Sequence, residues 1–163
     1  MKIEPAAQVT GHLAVPGDKS ISHRAVLLGA VSEGETVVRG FGRAGDTEST
    51  IGAVRMLGAA VDERGHDELV VHKIGLSRSE SHVVDCGNAG TLMRLLAGLL
   101  VGQAGLVELT GDESLSARPM ERIAEPLRRM GADVATTDGH APLIIRPTES
   151  IRGIDYELPV ASA

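Results

Sequence analysis

Aromatic side chains are nearly missing from this sequence, which holds one Phe, one Tyr and no Trp among 163 residues. Without rings there is no platform for stacked bases, which argues against single-stranded nucleic acid as a partner. The core must be assembled from Val, Leu, Ile, Ala and Met. Cysteine is as scarce: Cys86 stands alone, which rules out an internal disulfide and a Cys-rich metal site and suits a reducing compartment. Positive charge is also in deficit. The formal net charge of −6 opposes binding to nucleic acid or to an anionic membrane, while individual Lys and Arg residues can still line one local anionic pocket. The longest apolar stretch, Leu92 to Val107, is interrupted by Arg94, three glycines and Gln103, so no membrane span is expected. No signal-peptide pattern opens the chain. The expectation is a soluble, cytoplasmic protein without cofactor or metal, of one domain or two small subdomains that bury roughly two-thirds of the unfolded surface.

What the sequence does have is a cation-bearing helix start. Gly17-Asp18-Lys19-Ser20-Ile21-Ser22-His23-Arg24 runs directly into Ala25-Val26-Leu27-Leu28-Gly29-Ala30. Pro16-Gly17 breaks the preceding strand, Ser20 or Ser22 can cap a helix, and Lys19 and Arg24 then flank free backbone N–H groups. That combination suits a phosphate or a carboxylate. Gly11 to Ser20 loosely echoes a mononucleotide loop, but Asp18 separates Gly17 from Lys19 and spoils the pattern. A solvated, well-capped helix start with no ligand explains the same eight residues.

Four features then occur twice in the same order. Arg55-Met56-Leu57-Gly58-Ala59-Ala60-Val61, a Gly65-His66 turn and Leu69-Val70-Val71 return as Arg128-Arg129-Met130-Gly131-Ala132-Asp133-Val134, Gly139-His140 and Leu143-Ile144-Ile145. Upstream, Gly34 to Gly40 pairs with Gly105 to Gly111, and Arg24 pairs with Arg94. Each copy reads as a loop, a helix, a strand, a second helix and a hairpin, because the apolar period switches from helical to alternating at those places. The alternative is that Leu-Gly-Ala-x-Val is merely a common helix-to-strand junction. Residues 1–15 read as a separate apolar strand. The last residues, Tyr156 to Ala163, read as the opening of a third unit, so the chain looks cut short.

The second copy carries its own candidate loop, Asp85-Cys86-Gly87-Asn88-Ala89-Gly90-Thr91, ahead of an apolar helix bearing Arg94. Gly90 would let backbone N–H groups approach an anion, and Thr91 can cap the helix. The segment from Asp112 to Met120 begins a third helix, with Pro119 suited to its first position and Arg118 just before it. Alone, each is an ordinary strand-to-helix turn. Together, Lys19, Arg24, Arg94 and Arg118 could divide two anionic groups among them if the repeat brings the three helix starts to one end of a sheet. The acids Asp46, Glu48, Asp112 and Glu113 fit dipole capping better than catalysis. His23 reads as an oriented structural residue, and His66 and His140 as exposed turn residues. Cys86 reads as a buried thiol rather than a nucleophile.

Gly17 to Arg24, Gly87-Asn88-Ala89-Gly90-Thr91 with Arg94, Ser116-Ala117-Arg118-Pro119-Met120, and Leu158-Pro159-Val160-Ala161-Ser162-Ala163 together resemble the 5-enolpyruvylshikimate-3-phosphate synthases. The resemblance covers the whole chain, which is less than half of that family's length. It implies an α/β (α+β) fold of repeated βαβαββ units, the inside-out α/β barrel of the enolpyruvyl transferases. Residues 1–15 would then belong to the other domain, and residues 16–163 would hold two complete units, about 16–80 and 81–150, and the start of a third. The implied activity is that of a 3-phosphoshikimate 1-carboxyvinyltransferase of the shikimate pathway, moving an enolpyruvyl group from phosphoenolpyruvate to shikimate 3-phosphate.

By the same resemblance Lys19, Ser20 and Arg24 hold shikimate 3-phosphate, with Lys19 also reaching phosphoenolpyruvate and acting in catalysis. Gly90, Arg94 and Arg118 hold phosphoenolpyruvate, Asn88 shapes its loop, and Ser162 begins the loop that grips the shikimate phosphate. Leu95 stands where many relatives have proline, which bears on the response to glyphosate, the inhibitor that mimics phosphoenolpyruvate. The missing C-terminal half is the implied partner, the full-length enzyme a monomer, and the fragment alone inactive. Two other readings remain: a non-catalytic phosphate-binding half that needs a partner chain, and a UDP-N-acetylglucosamine enolpyruvyl transferase, whose reactive cysteine near the Arg-Pro segment is lacking here.

Overall fold

Asp18, not either serine, starts the first helix. Its backbone is extended (φ −67°, ψ 131°) and its carboxylate accepts from the Ile21 N–H at 2.7 Å, so α1 begins at Lys19 and runs to Val31. The expectation that Ser20 or Ser22 caps this helix is thus corrected. The Ser22 hydroxyl donates to the Asp18 carbonyl at 2.7 Å and accepts from the Gly42 N–H at 2.9 Å, which ties α1 to the loop beyond the next strand. Gly17 lies so flat on that loop that a Cβ would collide with the Gly40 carbonyl. Only glycine fits there.

The computed structural model describes residues 8–75, 80–102 and 105–158. After α1 (Lys19–Val31) come β1 (Glu35–Arg39), α2 (Gly45–Met56), β2 (Val61–Arg64) and β3 (Glu68–His72); then β4 (Ser81–Asp85), α3 (Gly90–Leu100), β5 (Leu106–Thr110), α4 (Glu113–Ser116), α5 (Glu121–Arg129), β6 (Asp133–Thr137) and β7 (His140–Arg146). The strands form two sheets, ordered β1-β3-β2 and β4-β5-β7-β6. In the first every pairing is antiparallel. In the second, β4 and β5 are parallel, joined by the α3 crossover, and β5-β7 and β7-β6 are antiparallel. This is the fold order of a twice-repeated unit, with α1 matching α3, β1 matching β5, and the β2-β3 hairpin matching β6-β7.

Two details differ from the sequence reading. Among the described residues no strand precedes α1, so the first copy shows α-β-α-β-β, whereas the second, from β4 to β7, runs β-α-β-α-α-β-β, the short α4 being added before α5. Residues 8–15 belong to no strand, and Val9, Leu13 and Val15 are 89%, 86% and 74% exposed. An extended segment becomes a strand only where a neighbour takes its backbone hydrogen bonds. The second hairpin turns at Asp138-Gly139, both with positive φ (51° and 81°), and Thr137 faces His140 across it. That is the two-residue primed turn that matches strand twist. His140 therefore opens β7, half-buried, while His66 lies exposed in the three-residue turn between β2 and β3.

A single core joins both sheets and the helices. Val26 and Leu27 from α1, Ile51 and Val54 from α2, and Leu92, Met93, Leu96 and Leu100 from α3 are all buried. In the sheets, alternation sends Val107 and Leu109 of β5 and Leu143 and Ile145 of β7 to the same interior. Each such side chain contributes roughly 1.5–3 kcal/mol relative to exposure. The apolar surface is not fully covered: α1 and α3 leave between them an open groove of about 490 Å3 lined by Leu27, Leu28, Val31, Leu95 and Leu99. No described helix is long and apolar enough to cross a membrane.

Candidate anion-binding site

Three helices begin around one cleft. Ser20 and Arg24 from α1, Thr91, Arg94 and Leu95 from α3, and Arg122 and Ile123 from α5 line an open cavity of about 440 Å3. The repeat is the cause, since α1 and α3 are equivalent helices that enter the core side by side. Their positive ends and their arginines then face the same space.

Gly90, the first residue of α3, is buried at the centre of the charge. A Cβ built there would lie 3.0 Å from Nη1 of both Arg94 and Arg118 and 3.5 Å from Leu115 Cδ1. Two guanidinium groups thus close over a bare Cα. The helix end beneath them is uncapped: the N-cap is Ala89, with no side-chain hydrogen bond, which corrects the expectation that Thr91 caps it. Uncapped N–H groups and guanidinium forks offer an anion complementary donors.

Asn88 holds one of those forks in place. Its side-chain oxygen accepts from Arg118 Nη2 at 2.5 Å, and its Nδ2 donates to both Asp112 carboxylate oxygens at 3.0 and 2.8 Å. Asp112 in turn accepts from the Leu115 N–H at 2.7 Å and so caps α4. The Asn88 amide, followed by that N–H, keeps the Asp112 carboxyl below the usual carboxylate range. Asp112 is therefore a buttress, as expected of a capping acid. The segment after it is not one helix: α4 ends at Ser116, Arg118 and Pro119 lie in the link, and α5 starts at Glu121. Pro119 is not a first helical residue, and the chain turns there because Met120 N–H bonds to Gly139 on the β6-β7 turn at 2.8 Å.

Arg94 is the most desolvated of these cations. Its Nε is buried without a partner, and Nη2 reaches only the Pro119 carbonyl, at 3.4 Å. Burial, then Arg122, then Arg118 all press its pKa down. Among the described residues no carboxylate lies in ion-pair range of Arg24, Arg94, Arg118 or Arg122. Arg24, Arg94 and Arg122 thus line the cleft and Arg118 lies beside it, an arrangement of charge that suits an anion.

Lys19 stands slightly apart. Its ammonium pairs with Asp46 in the first turn of α2 at 2.9 Å, and it does not line the cleft. Below it His23, fully buried, lies with Nδ1 2.6 Å from Thr50 Oγ1, and Thr50 donates to the Asp46 carbonyl at 3.3 Å. His23 Nδ1–H is then the donor to Thr50, and burial lowers the His23 pKa. This neutral histidine is structural and clamps α1 to α2. Cys86 is also buried, its thiol pushed up to about 12 by desolvation and then by Asp85, which removes it as a nucleophile. Among the described residues no three His, Cys, Asp or Glu side chains are grouped to hold a metal.

Of the residues singled out from sequence, Ser20, Arg24 and Arg94 meet in the cleft, while Asn88, Gly90 and Arg118 meet beside it around Arg94. Ser162 lies outside the described residues. Arg122 was missed, because the third helix was expected to start at Pro119; its position two residues after Met120, in a first turn, is the only sequence signal for it.

The family model described as EPSP synthase (3-phosphoshikimate 1-carboxyvinyltransferase) matches residues 3–163. The chain belongs to the EPSP synthase family. It is 51% identical over 165 residues to the 3-phosphoshikimate 1-carboxyvinyltransferase of Acidithiobacillus ferrooxidans and 44% identical over 165 residues to that of Hydrogenovibrio crunogenus. Each match covers 99% of this chain and 37% of the relative. The solved EPSP synthase from Acinetobacter baumannii superposes with a TM-score of 0.85 at 43% identity, covering 94% of this chain and 36% of that one. The α/β architecture described above is thus that of the EPSP synthases, of whose length this chain spans a little over a third.

Proposed function

We propose that this chain supplies the cationic part of a site that moves the enolpyruvyl group of phosphoenolpyruvate onto shikimate 3-phosphate, in the cytoplasm. The observation that carries this reading is the convergence of Arg24 from α1, Arg94 from α3 and Arg122 from α5 on one cleft, with Arg118 beside it over Gly90 and no carboxylate in ion-pair range of the four among the described residues. Both substrates are multiply charged anions that repel one another. Fixed guanidinium groups bring them together and screen that repulsion, a positioning effect worth several kcal/mol.

In this reading Gly90, Arg94 and Arg118 hold phosphoenolpyruvate, with Asn88 aiming Arg118, and Ser20 and Arg24 hold shikimate 3-phosphate. Lys19 reaches both, giving up or sharing Asp46. Ser162 contributes at the shikimate phosphate. A substrate hydroxyl, giving its proton to a base, attacks C2 of phosphoenolpyruvate while an acid protonates the methylene carbon, and the tetrahedral intermediate then expels phosphate as its methyl group loses a proton, which restores the double bond. The guanidinium groups hold the anions but do not supply the proton that the methylene carbon takes up. The acid and base belong to the remaining length of the enzyme, so these 163 residues alone bind substrate without turning it over. The bare Cα of Gly90 leaves room for glyphosate.

Calorimetric titration of shikimate 3-phosphate, followed by a phosphate-release assay with phosphoenolpyruvate, tests the proposal. Binding by the 163-residue chain is expected, with phosphate release only when the C-terminal remainder is added. Absence of binding at millimolar ligand, or turnover by the chain alone, would overturn it.

A further inference from the structure

We propose that Arg122 is a ligand-binding residue of this cleft, where with Ser20 and Arg24 it holds an anionic group of shikimate 3-phosphate, while Arg94 stays with the anion held at Gly90. The inference deepens the function proposed above and rests on its reading that the cleft takes shikimate 3-phosphate. Its own support is the contrast among the three arginines of α5. Arg128 is neutralised by Glu121 at 2.8 Å and Arg129 by Glu125 at 3.5 Å. Arg122 has no such partner among the described residues, because the adjacent Glu121 turns away to Arg128 and to the Thr136 hydroxyl. The sequence thus spends its local acids on the arginines outside the cleft and leaves the one inside it bare.

Geometry supports the same reading. Arg122 is the second residue of α5, whose N-cap, Met120, makes no side-chain hydrogen bond, so the helix end beside it is open. It lines the cleft together with Ser20 and Arg24 from α1 and Arg94 from α3. Its charge bears on Arg94 more strongly than that of Arg118 does. Three like charges around one cavity repel one another until an anion enters, and a planar guanidinium fork accepts a carboxylate or phosphate in bidentate fashion. Leu95 and Ile123 form the apolar part of the same wall.

The test titrates shikimate 3-phosphate, and separately inorganic phosphate, into the protein at its native length, comparing wild type with Arg122→Gln and Arg129→Gln. The second variant makes the same change of charge on the same helix outside the cleft. Arg122→Gln is expected to weaken shikimate 3-phosphate binding about tenfold or more, with Arg129→Gln within about twofold of wild type and thermal midpoints unchanged. Equal affinities for wild type and Arg122→Gln, or equal losses in both variants, overturn the role of Arg122 and leave the proposed function standing. If shikimate 3-phosphate fails to bind but inorganic phosphate binds in an Arg122-dependent way, the substrate assignment falls and the subsite stands. If neither ligand binds, both fall.

Discussion

At the scale of single residues, the site is arranged by neutral groups as much as by charged ones. Asn88 joins the Arg118 fork to the Asp112 carboxylate, and His23 joins α1 to α2 through Thr50. His23 carries a testable pH dependence. Its folded-state pKa is lowered from 6.5, chiefly by burial, so the unfolded chain binds this proton more tightly than the folded one. The associated stability is present in full above about pH 6.5 and is lost as pH falls below that value. The thermal midpoint should therefore be flat above neutrality and decline below about pH 6.5, and His23→Asn, which keeps a donor for Thr50, should remove that decline. An unchanged pH profile in the variant would show that His23 is not the titrating group.

Helix starts decide where the charges point. α1 is capped by the Asp18 carboxylate at 2.7 Å, whereas α3 and α5 have no side-chain cap. The first loop, which reads in sequence as a phosphate cradle, is thus already occupied by its own acid, and the open helix ends are those of the second copy. Asp18→Ala should destabilise the protein by about 0.5–2 kcal/mol in urea unfolding, the usual cost of a lost cap. Ser20→Ala should change stability little, since the Ser20 side chain caps nothing, while weakening binding of shikimate 3-phosphate. Equal stability losses in the two variants would contradict this assignment of the cap. Sequence could not separate Asp18 from Ser20 and Ser22 here, because all three are good N-cap residues and the choice is settled by where the backbone turns extended.

For the molecule as a whole, the two repeats share one core, with helices α1, α2 and α3 packed together between the sheets. A shared core predicts one cooperative transition rather than two. Cys86, buried in that core with its thiol pushed up to about 12, serves as the probe. Its labelling by a thiol reagent in increasing urea should follow the same midpoint as the loss of far-UV circular dichroism. Labelling that precedes the loss of helix would mean that the second copy opens independently of the first.

What the amino-acid sequence determined by itself was everything that depends on near neighbours. The helix-strand-helix order of both copies, the two hairpins and the buried character of Cys86 follow from periodicity and turn residues, and the family from the resemblance of short motifs. The hairpin at Asp138-Gly139 was misplaced by one residue because Gly-His and Asp-Gly both read as turns until the register with β7 is known. Only the tertiary structure decided that α1, α3 and α5 open onto one cleft, that Arg122 belongs to it while Arg128 and Arg129 do not, and that Lys19 rests on Asp46. Those outcomes depend on how two repeats pack across a common core, and no spacing along the chain encodes the distance between helix ends that meet only after folding.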